Sequence, residues 1–213
     1  MNARGPYAKG VAKRQEILDA ALTVIASHGY SGATVKEIAD AVGLSQNGLL
    51  HYFGSKDALF VEVLRRRDEV DAAGYGRPAE VGATRPSEPG PAEEAPPRGL
   101  AAVREGYVAL VRHNAAVPGL VHLFTQLTAD AADPSHPAHG FFAERYAGLR
   151  ERGARTIADL QQRGEVRADV PPERVATMLF ALIDGLQNQW EYDEAVDMAA
   201  HLDTFLDLIR PTR

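Results

Sequence analysis

The chain has 213 residues, a formal net charge of −6 and no cysteine. The lack of cysteine excludes disulfide bonds, thiol catalysis and cysteine-based zinc sites. The longest apolar run, residues 178–183, is too short to cross a bilayer, and the N-terminus lacks the apolar stretch of a secretory signal, so we expect a soluble cytoplasmic protein with no membrane partner.

The first 14 residues carry Arg4, Lys9, Lys13 and Arg14 and no acidic residue. Glycine and proline within residues 1–10 disfavour a helix, so this segment is predicted to be a flexible basic arm. The apolar spacing of the residues that follow predicts a first helix over about residues 11–28.

Residues 34–56 read TVKEIADAVGLSQNGLLHYFGSK, the pattern of two short helices joined by a tight turn. Thr34 and Glu37 predict a capping box at the start of the first short helix, and Gly43 is placed to end that helix with a positive φ. Ser45 is predicted to cap the second short helix. The apolar spacing turns Leu44, Leu49 and Phe53 inward and leaves Gln46, Asn47 and His51 outside. This is the arrangement of a helix-turn-helix whose second helix enters a DNA groove.

The outward side chains predict how such a helix reads DNA. The amides of Gln46 and Asn47 can each pair with an adenine edge, and Gly48 would let the backbone approach the duplex closely. His51 is predicted to read a guanine acceptor or to contact phosphate. The residues predicted to hold phosphates without sequence preference are Thr34, Ser45, Tyr52 and Lys56.

Residues 11–67 resemble the DNA-binding part of TetR-family transcriptional regulators. Positions that carry the resemblance include Gly29, Tyr30, Thr34, Val35, Ile38, Ala39, Gly43, Leu44, Ser45, Leu49, Phe53, Ser55, Lys56 and Leu59. Leu50 stands where members commonly carry a tyrosine, which leaves Tyr52 or His51 to supply the usual phosphate contact. Since the chain outside this region is acidic, we expect DNA binding that weakens steeply with salt.

A fourth helix is predicted to begin after Ser55 and to end in the run of residues 65–67, Arg-Arg-Arg. We interpret this run as a solvated helix end, with a phosphate contact as the alternative. Residues 74–99 are rich in proline and glycine with hardly any large apolar residue, so they are predicted to form a flexible loop. The alternative for this loop is a second regulatory site.

The remaining pattern is helical without strand-like alternation, so the chain is predicted to be all-α with about nine helices. Helices are expected over about residues 100–116, 120–132, 137–163, 173–190 and 195–209. The predicted organisation is a helix-turn-helix DNA-binding domain with its basic arm (1–55), a connecting helix (56–73), the loop (74–99) and a larger helical domain for ligand binding and dimerisation (100–213).

The family resemblance implies a dimeric, ligand-responsive repressor of a palindromic double-stranded DNA operator. It implies a homodimer through the last two long helices and a small-molecule effector bound in the larger domain. The residues predicted to line the effector pocket are Tyr107, His122, Phe124, Gln126, Phe142, Tyr146, Met178 and Asn188. The alternative is that these aromatic residues form only the core and that the last two helices belong to a monomer.

Other chemistry has weaker support in the sequence. His136 and His139 are spaced as metal ligands could be, but loop or capping roles are favoured, and neither a metal nor a cofactor is predicted. No nucleophile, acid–base pair or phosphate-binding glycine loop is evident, so no enzymatic activity is predicted. The rival hypothesis is an all-α ligand-binding protein or enzyme with an incidental helix-turn-helix.

Overall fold

The computed structural model of the chain describes residues 5–32, 34–74 and 99–211, with side chains described for residues 8–27, 34–71 and 99–211. Within these residues it is all-α, with nine helices and no strand. They are α1 (Gly5–Gly32), α2 (Val35–Ala41), α3 (Gln46–Phe53), α4 (Lys56–Gly74), α5 (Leu100–Ala116), α6 (Pro118–Asp130), α7 (His139–Gln162), α8 (Pro172–Trp190) and α9 (Met198–Leu208). None of these helices is long and apolar enough to span a membrane.

The described residues form two compact units. The first comprises Met1–Arg67 and Val117–Phe141, and the second comprises Asp68–Ala116 and Phe142–Arg213, as far as these ranges are described. Both α4 and α7 continue from one unit into the other. The predicted division into residues 1–55, 56–73, 74–99 and 100–213 stays a prediction. It assigns a function to each part, whereas the two units are defined by contacts between residues.

In the first unit, α1 packs along α6 and also contacts α2, and α2 contacts α3. The apolar stripe predicted for the first helix is confirmed, since Ile17, Ala21 and Ile25 are fully buried. Leu49 of α3 and Leu59 of α4 are also fully buried. Burying a leucine or isoleucine side chain contributes about 1.5–3 kcal/mol, so packing between helices stabilises α2 and α3, which are too short to be stable alone.

In the second unit, α9 packs against both α5 and α8. Its N-terminus is capped by Asp197, whose Oδ1 accepts a hydrogen bond from the Ala200 N–H at 2.9 Å. Leu202 and Leu206 of α9 are fully buried. The predicted start of this helix near residue 195 is therefore corrected to Met198, where the cap places it.

Two predictions near the N-terminus and in α4 are wrong. Residues 5–10 are helical, not a flexible arm, because Pro6 lies in the first turn of α1, where no intrahelical N–H is needed. The arginine run does not end α4, which continues to Gly74. The predicted loop lies almost wholly outside the described residues, as does Arg4.

Candidate nucleic-acid interface

The first short helix, α2, begins with the predicted capping box. The Oγ1 of Thr34 accepts a hydrogen bond from the Glu37 N–H at 3.1 Å, and Glu37 Oε2 accepts one from the Thr34 N–H at 2.8 Å. Two backbone donors that a helix start leaves unpaired are thus satisfied within four residues. The Thr34 side chain is exposed, so this cap lies at the protein surface.

The turn between α2 and α3 also forms as predicted. Gly43 has φ +67°, a conformation that other residues adopt only with strain. The Val42 carbonyl accepts a hydrogen bond from Lys13 Nζ at 2.9 Å. Lys13 thereby ties α1 to the end of α2, and its charge lies at the negative end of the helix dipole.

The second short helix, α3, carries a buried apolar face and an exposed polar face. Leu49 and Phe53 are buried, whereas Gln46, Asn47 and His51 are exposed. The predicted orientation of these side chains is confirmed. The exposed face presents two amides and an imidazole side by side along about one and a half helical turns.

Gly48 has a structural reason to be glycine. The Oγ of Ser45 accepts a hydrogen bond from the Gly48 N–H at 3.0 Å, as the predicted cap requires. A Cβ added at Gly48 would lie 3.1 Å from that same Oγ. Glycine therefore leaves room for the capping hydroxyl, and close approach to a duplex remains a separate prediction.

The C-terminal end of α3 is held by Arg14, a contact that the sequence analysis missed. Its guanidinium donates to the Tyr52 carbonyl at 2.6 Å, pairs with Glu62 at 3.0 Å and stacks over the Phe53 ring at 4.4 Å from the centroid. Helical periodicity could have indicated this contact, because Arg14 lies four residues before the buried Leu18 and so shares its face of α1. Arg14 and Lys13 thus act inside this unit and are less available to phosphates than the predicted basic arm implied.

Two of the predicted phosphate-binding residues lie where α3 passes into α4. Tyr52 is half-buried, with its ring edge-on to His51 at 6.4 Å, and Lys56 is exposed, with Nζ 5.4 Å from the centroid of Phe60. Between them, the Oγ of Ser55 accepts from the Ala58 N–H at 3.1 Å and caps α4, as predicted.

The arginine run is packed, so its interpretation as a solvated helix end is wrong. Arg65 lies over the Phe141 ring at 4.7 Å, and Arg66 pairs with Asp19 at 2.8 Å. Arg67 is only 7% exposed and lies over the Phe124 ring at 5.1 Å. Successive helix positions point in three directions, and each direction meets a partner on another helix or turn.

The residues predicted to line the effector pocket are divided between the two units. His122, Phe124 and Gln126 belong to the first unit, where Phe124 is buried and Gln126 exposed. In the second unit, the members are Tyr107, Phe142, Tyr146, Met178 and Asn188. Of these five, Tyr107 and Phe142 are buried, Tyr146 is half-buried, and the two α8 residues are exposed.

Polar side chains inside the second unit link three helices. Arg145 on α7 donates to both carboxylate oxygens of Asp68 on α4, at 2.9 and 3.3 Å. Tyr146, the next residue, donates to Asp184 on α8 at 2.8 Å. Although burial opposes its charged form, the Asp68 carboxylate keeps the pKa of Arg145 above its ordinary value. Adjacent residues of α7 therefore hold α4 and α8 by hydrogen bonds.

The histidines considered as metal ligands take part in turn geometry. His136 Nδ1 accepts from the Ala138 N–H at 3.2 Å, and His139 Nδ1 lies 2.8 Å from the Ala131 carbonyl oxygen. Hydrogen bonds from Ser135 hold the pKa of the nearby Asp133 carboxyl below its usual value. Among the side chains that the structure describes, no group of three or more potential metal ligands is found.

The N-terminal and C-terminal parts of the chain each match a known protein family. Residues 17–63 match the family model for bacterial regulatory proteins of the tetR family. Residues 130–211 match the model for the C-terminal part of BetI-type transcriptional repressors. The first range contains α2 and α3, and the second contains α7, α8 and α9.

Individual relatives agree with the family models. The HTH-type transcriptional repressor Rv1474c of Mycobacterium tuberculosis is 30% identical over 178 residues, which cover 82% of this chain and 80% of that protein. The HTH-type transcriptional repressor AcnR of Corynebacterium glutamicum is 29% identical, covering 93% and 91%. A TetR-family regulator from Agrobacterium tumefaciens has a similar fold, with a TM-score of 0.65 at 19% identity, covering 95% of this chain and all of that one.

Proposed function

We propose that α3 is the recognition helix of this chain, which belongs to the TetR family of bacterial transcriptional regulators and is a ligand-responsive DNA-binding repressor. The exposed polar face of α3 carries this proposal, because caps and buried contacts hold that face outward at both ends. The rival hypothesis of an enzyme with an incidental helix-turn-helix is not favoured, since the relatives are transcriptional repressors.

In the proposed complex, Gln46 and Asn47 read adenine edges in the major groove, and His51 reads a guanine acceptor or contacts phosphate. Phosphate oxygens are held by residues at the helix starts and at the α3–α4 junction. These residues are Thr34, Ser45, Tyr52 and Lys56, with Gly48 allowing close backbone approach. Ser45 already accepts a hydrogen bond from its own helix, and its hydroxyl hydrogen remains suited to donate to a phosphate oxygen. The Thr34 hydroxyl donates to Glu37 Oε2 at 3.2 Å, so a phosphate oxygen would replace that carboxylate as its acceptor.

We further propose that two copies associate through α8 and α9. Both helices carry exposed apolar side chains beside their buried faces, namely Met178 at 46% and Leu208 at 69% exposure. A two-fold dimer presents two recognition helices to successive major grooves, so the operator is expected to be palindromic. Because the proposed target is a double-stranded DNA operator, we propose that the protein acts in the cytoplasm.

Release from DNA is proposed to follow effector binding in the helical domain, the predicted residues 100–213. The Asp68–Arg145 hydrogen bonds tie α4 to α7, so a shift of α7 would be transmitted to α4. Disfavouring the DNA-bound arrangement by about 3 kcal/mol weakens binding more than a hundredfold.

The test begins with selection of binding sites from a randomised duplex pool at low and moderate salt. We expect a palindrome with two half-sites. On that operator, Gln46→Ala and Asn47→Ala should each lower affinity by about five- to a hundredfold and relax base preference at one position per half-site. Lys56→Ala should weaken binding to all DNA sequences alike. It should also reduce the salt dependence of binding by about one phosphate contact per subunit.

The matched control is Gln162→Ala, which removes an exposed amide at the end of α7. Its affinity should equal that of the unchanged protein. Full operator affinity in all three α3–α4 variants would contradict the proposed reading surface, and recovery of no enriched sequence at either salt would contradict operator binding itself.

A further inference from the structure

A buried hydroxyl group in the second unit has no hydrogen-bond partner among the residues that the structure describes. Tyr107 on α5 is 2% exposed, and within the described part of the chain its Oη makes no hydrogen bond. A buried polar group left unpaired is costly, and folded proteins contain few of them. Such a group inside a ligand-responsive domain points to a partner that arrives from outside the chain.

The ring that carries this hydroxyl packs among apolar side chains. The Tyr107 ring meets the Phe180 ring of α8 edge-on, at a centroid distance of 6.3 Å, and Val111, one turn along α5, is buried. Burial raises the pKa of the Tyr107 phenol, and the positive charge of Arg152 opposes that rise. The hydroxyl therefore stays protonated at neutral pH and can donate a hydrogen bond.

The opposing charge comes from α7. Arg152 lies back along its own helix, where a Cβ added at Gly148 would be 2.9 Å from Nη1. Glycine at this position leaves room for the guanidinium one turn away, on the part of α7 that also packs on α8 through Gly153. Phe180 of α8 thus lies against the Tyr107 ring on one side and against Gly153, the neighbour of Arg152, on the other. This shared contact brings the hydroxyl of α5 and the charge of α7 to the same part of the second unit.

We propose that Tyr107 and Arg152 receive a carboxylate group of the effector, an inference that rests on the proposed ligand-responsive function. The Tyr107 hydroxyl donates to a carboxylate oxygen, and the guanidinium supplies the compensating charge. The hydroxyl oxygen has no exposed surface, so the ligand reaches it only when α5, α7 and α8 separate. Binding is thereby coupled to helix movement, which is what release from DNA requires.

The test uses Tyr107→Phe, which removes the hydroxyl alone. Tyr146→Phe is the comparison for stability, and Tyr192→Phe is the matched control for ligand response. The Tyr146 hydroxyl is already paired with Asp184 at 2.8 Å. Without ligand, we expect Tyr107→Phe to leave the melting temperature unchanged or higher and Tyr146→Phe to lower it. The melting temperature is then measured in the presence of aliphatic mono-, di- and tricarboxylates and of aromatic carboxylates. Each carboxylate is compared with the corresponding uncharged alcohol or amide.

At least one carboxylate should raise the melting temperature of the unchanged protein, and its uncharged counterpart should not. Tyr107→Phe and Arg152→Gln should each weaken binding of that carboxylate by about tenfold or more. Tyr192→Phe, at a side chain that is 93% exposed, should keep the full response. The same carboxylate should release operator DNA from the unchanged protein, with the two weakened variants requiring proportionately more.

Several results would overturn this inference. One is that no carboxylate raises the melting temperature, and another is that uncharged compounds raise it equally well. A third is that Tyr107→Phe responds to the carboxylate as fully as the unchanged protein does. The last is that Tyr107→Phe loses as much stability as Tyr146→Phe. Operator binding measured without ligand separates the two proposals. If it is intact while carboxylates fail, only the effector class is wrong, and if it is lost, the proposed function itself fails.

Discussion

At the scale of single residues, short polar side chains decide where the DNA-binding helices begin. Thr34, Ser45 and Ser55 each accept a hydrogen bond from the backbone N–H three residues later. Each of these contacts satisfies a donor that the first turn of a helix cannot pair internally. The three helix starts that orient α3 are thus set by three hydroxyl groups.

A substitution at Thr34 measures the value of one such cap. Thr34→Ala removes the acceptor for the Glu37 N–H, so the free energy of unfolding should fall by about 1 kcal/mol in urea denaturation. Thr23→Ala is the control, because the Thr23 hydroxyl only donates to the Asp19 carbonyl within α1. That change should be neutral or slightly stabilising. Equal effects of the two substitutions would contradict the capping role.

At the scale of helices, ion pairs within the second unit connect elements that are distant in sequence. Arg145→Met would remove the guanidinium that pairs with the buried Asp68 carboxylate, and the free energy of unfolding should fall by about 3–5 kcal/mol. The double variant Asp68→Asn/Arg145→Met should recover part of this loss, because it removes both charges of the pair. A loss below about 1 kcal/mol in Arg145→Met would show that the pair does not hold α4 on α7.

A second ion pair makes stability depend on pH. Arg104 on α5 donates to Asp203 at 2.7 Å and to Asp207, both on α9. The hydrogen bond from Arg104 holds the pKa of Asp207 below its ordinary value. A depressed carboxyl pKa contributes stability above the unfolded value, about 3.9, and that stability is lost as pH falls through the folded pKa.

Arg104→Met should therefore be less stable than the unchanged protein at neutral pH, and the difference should narrow as pH falls below about 4. Urea denaturation across this pH range measures the difference. Arg155→Met is the control, because Arg155 pairs with Glu151 on the exposed face of α7 alone. A difference between Arg104→Met and the unchanged protein that stays constant down to pH 2 would contradict the role of Asp207.

At the scale of the whole molecule, operator affinity depends on two copies acting together. Met178→Glu places a charge on the exposed apolar face of α8, so the protein should become monomeric in sedimentation experiments and lose most of its operator affinity. Its helical circular dichroism should be unchanged. Ala101→Glu, at an exposed position of α5, introduces the same charge and should leave both properties intact. A dimer that survives Met178→Glu would place the interface elsewhere.

The features that the sequence determined by itself are those whose partners are close in the chain. The capping box of Thr34 with Glu37, the positive φ of Gly43 and the cap at Ser45 each involve contacts within four residues. Helical periodicity then placed Leu49 inward and Gln46 outward, because helix geometry alone fixes which positions share a face. The all-α fold and the polar face of α3 followed from such local rules.

Only the tertiary structure decided contacts between distant residues. Arg14 meets the Tyr52 carbonyl across 38 positions, and Arg145 meets Asp68 across 77. The sequence does not show whether a charged side chain faces solvent or a partner that is distant in the chain. The arginine run of residues 65–67 was therefore interpreted as a solvated helix end. Composition likewise could not show that a helix begins at Gly5 or that α6 packs along α1. These features depend on which surfaces the folded chain brings together, and that information is spread over the whole sequence.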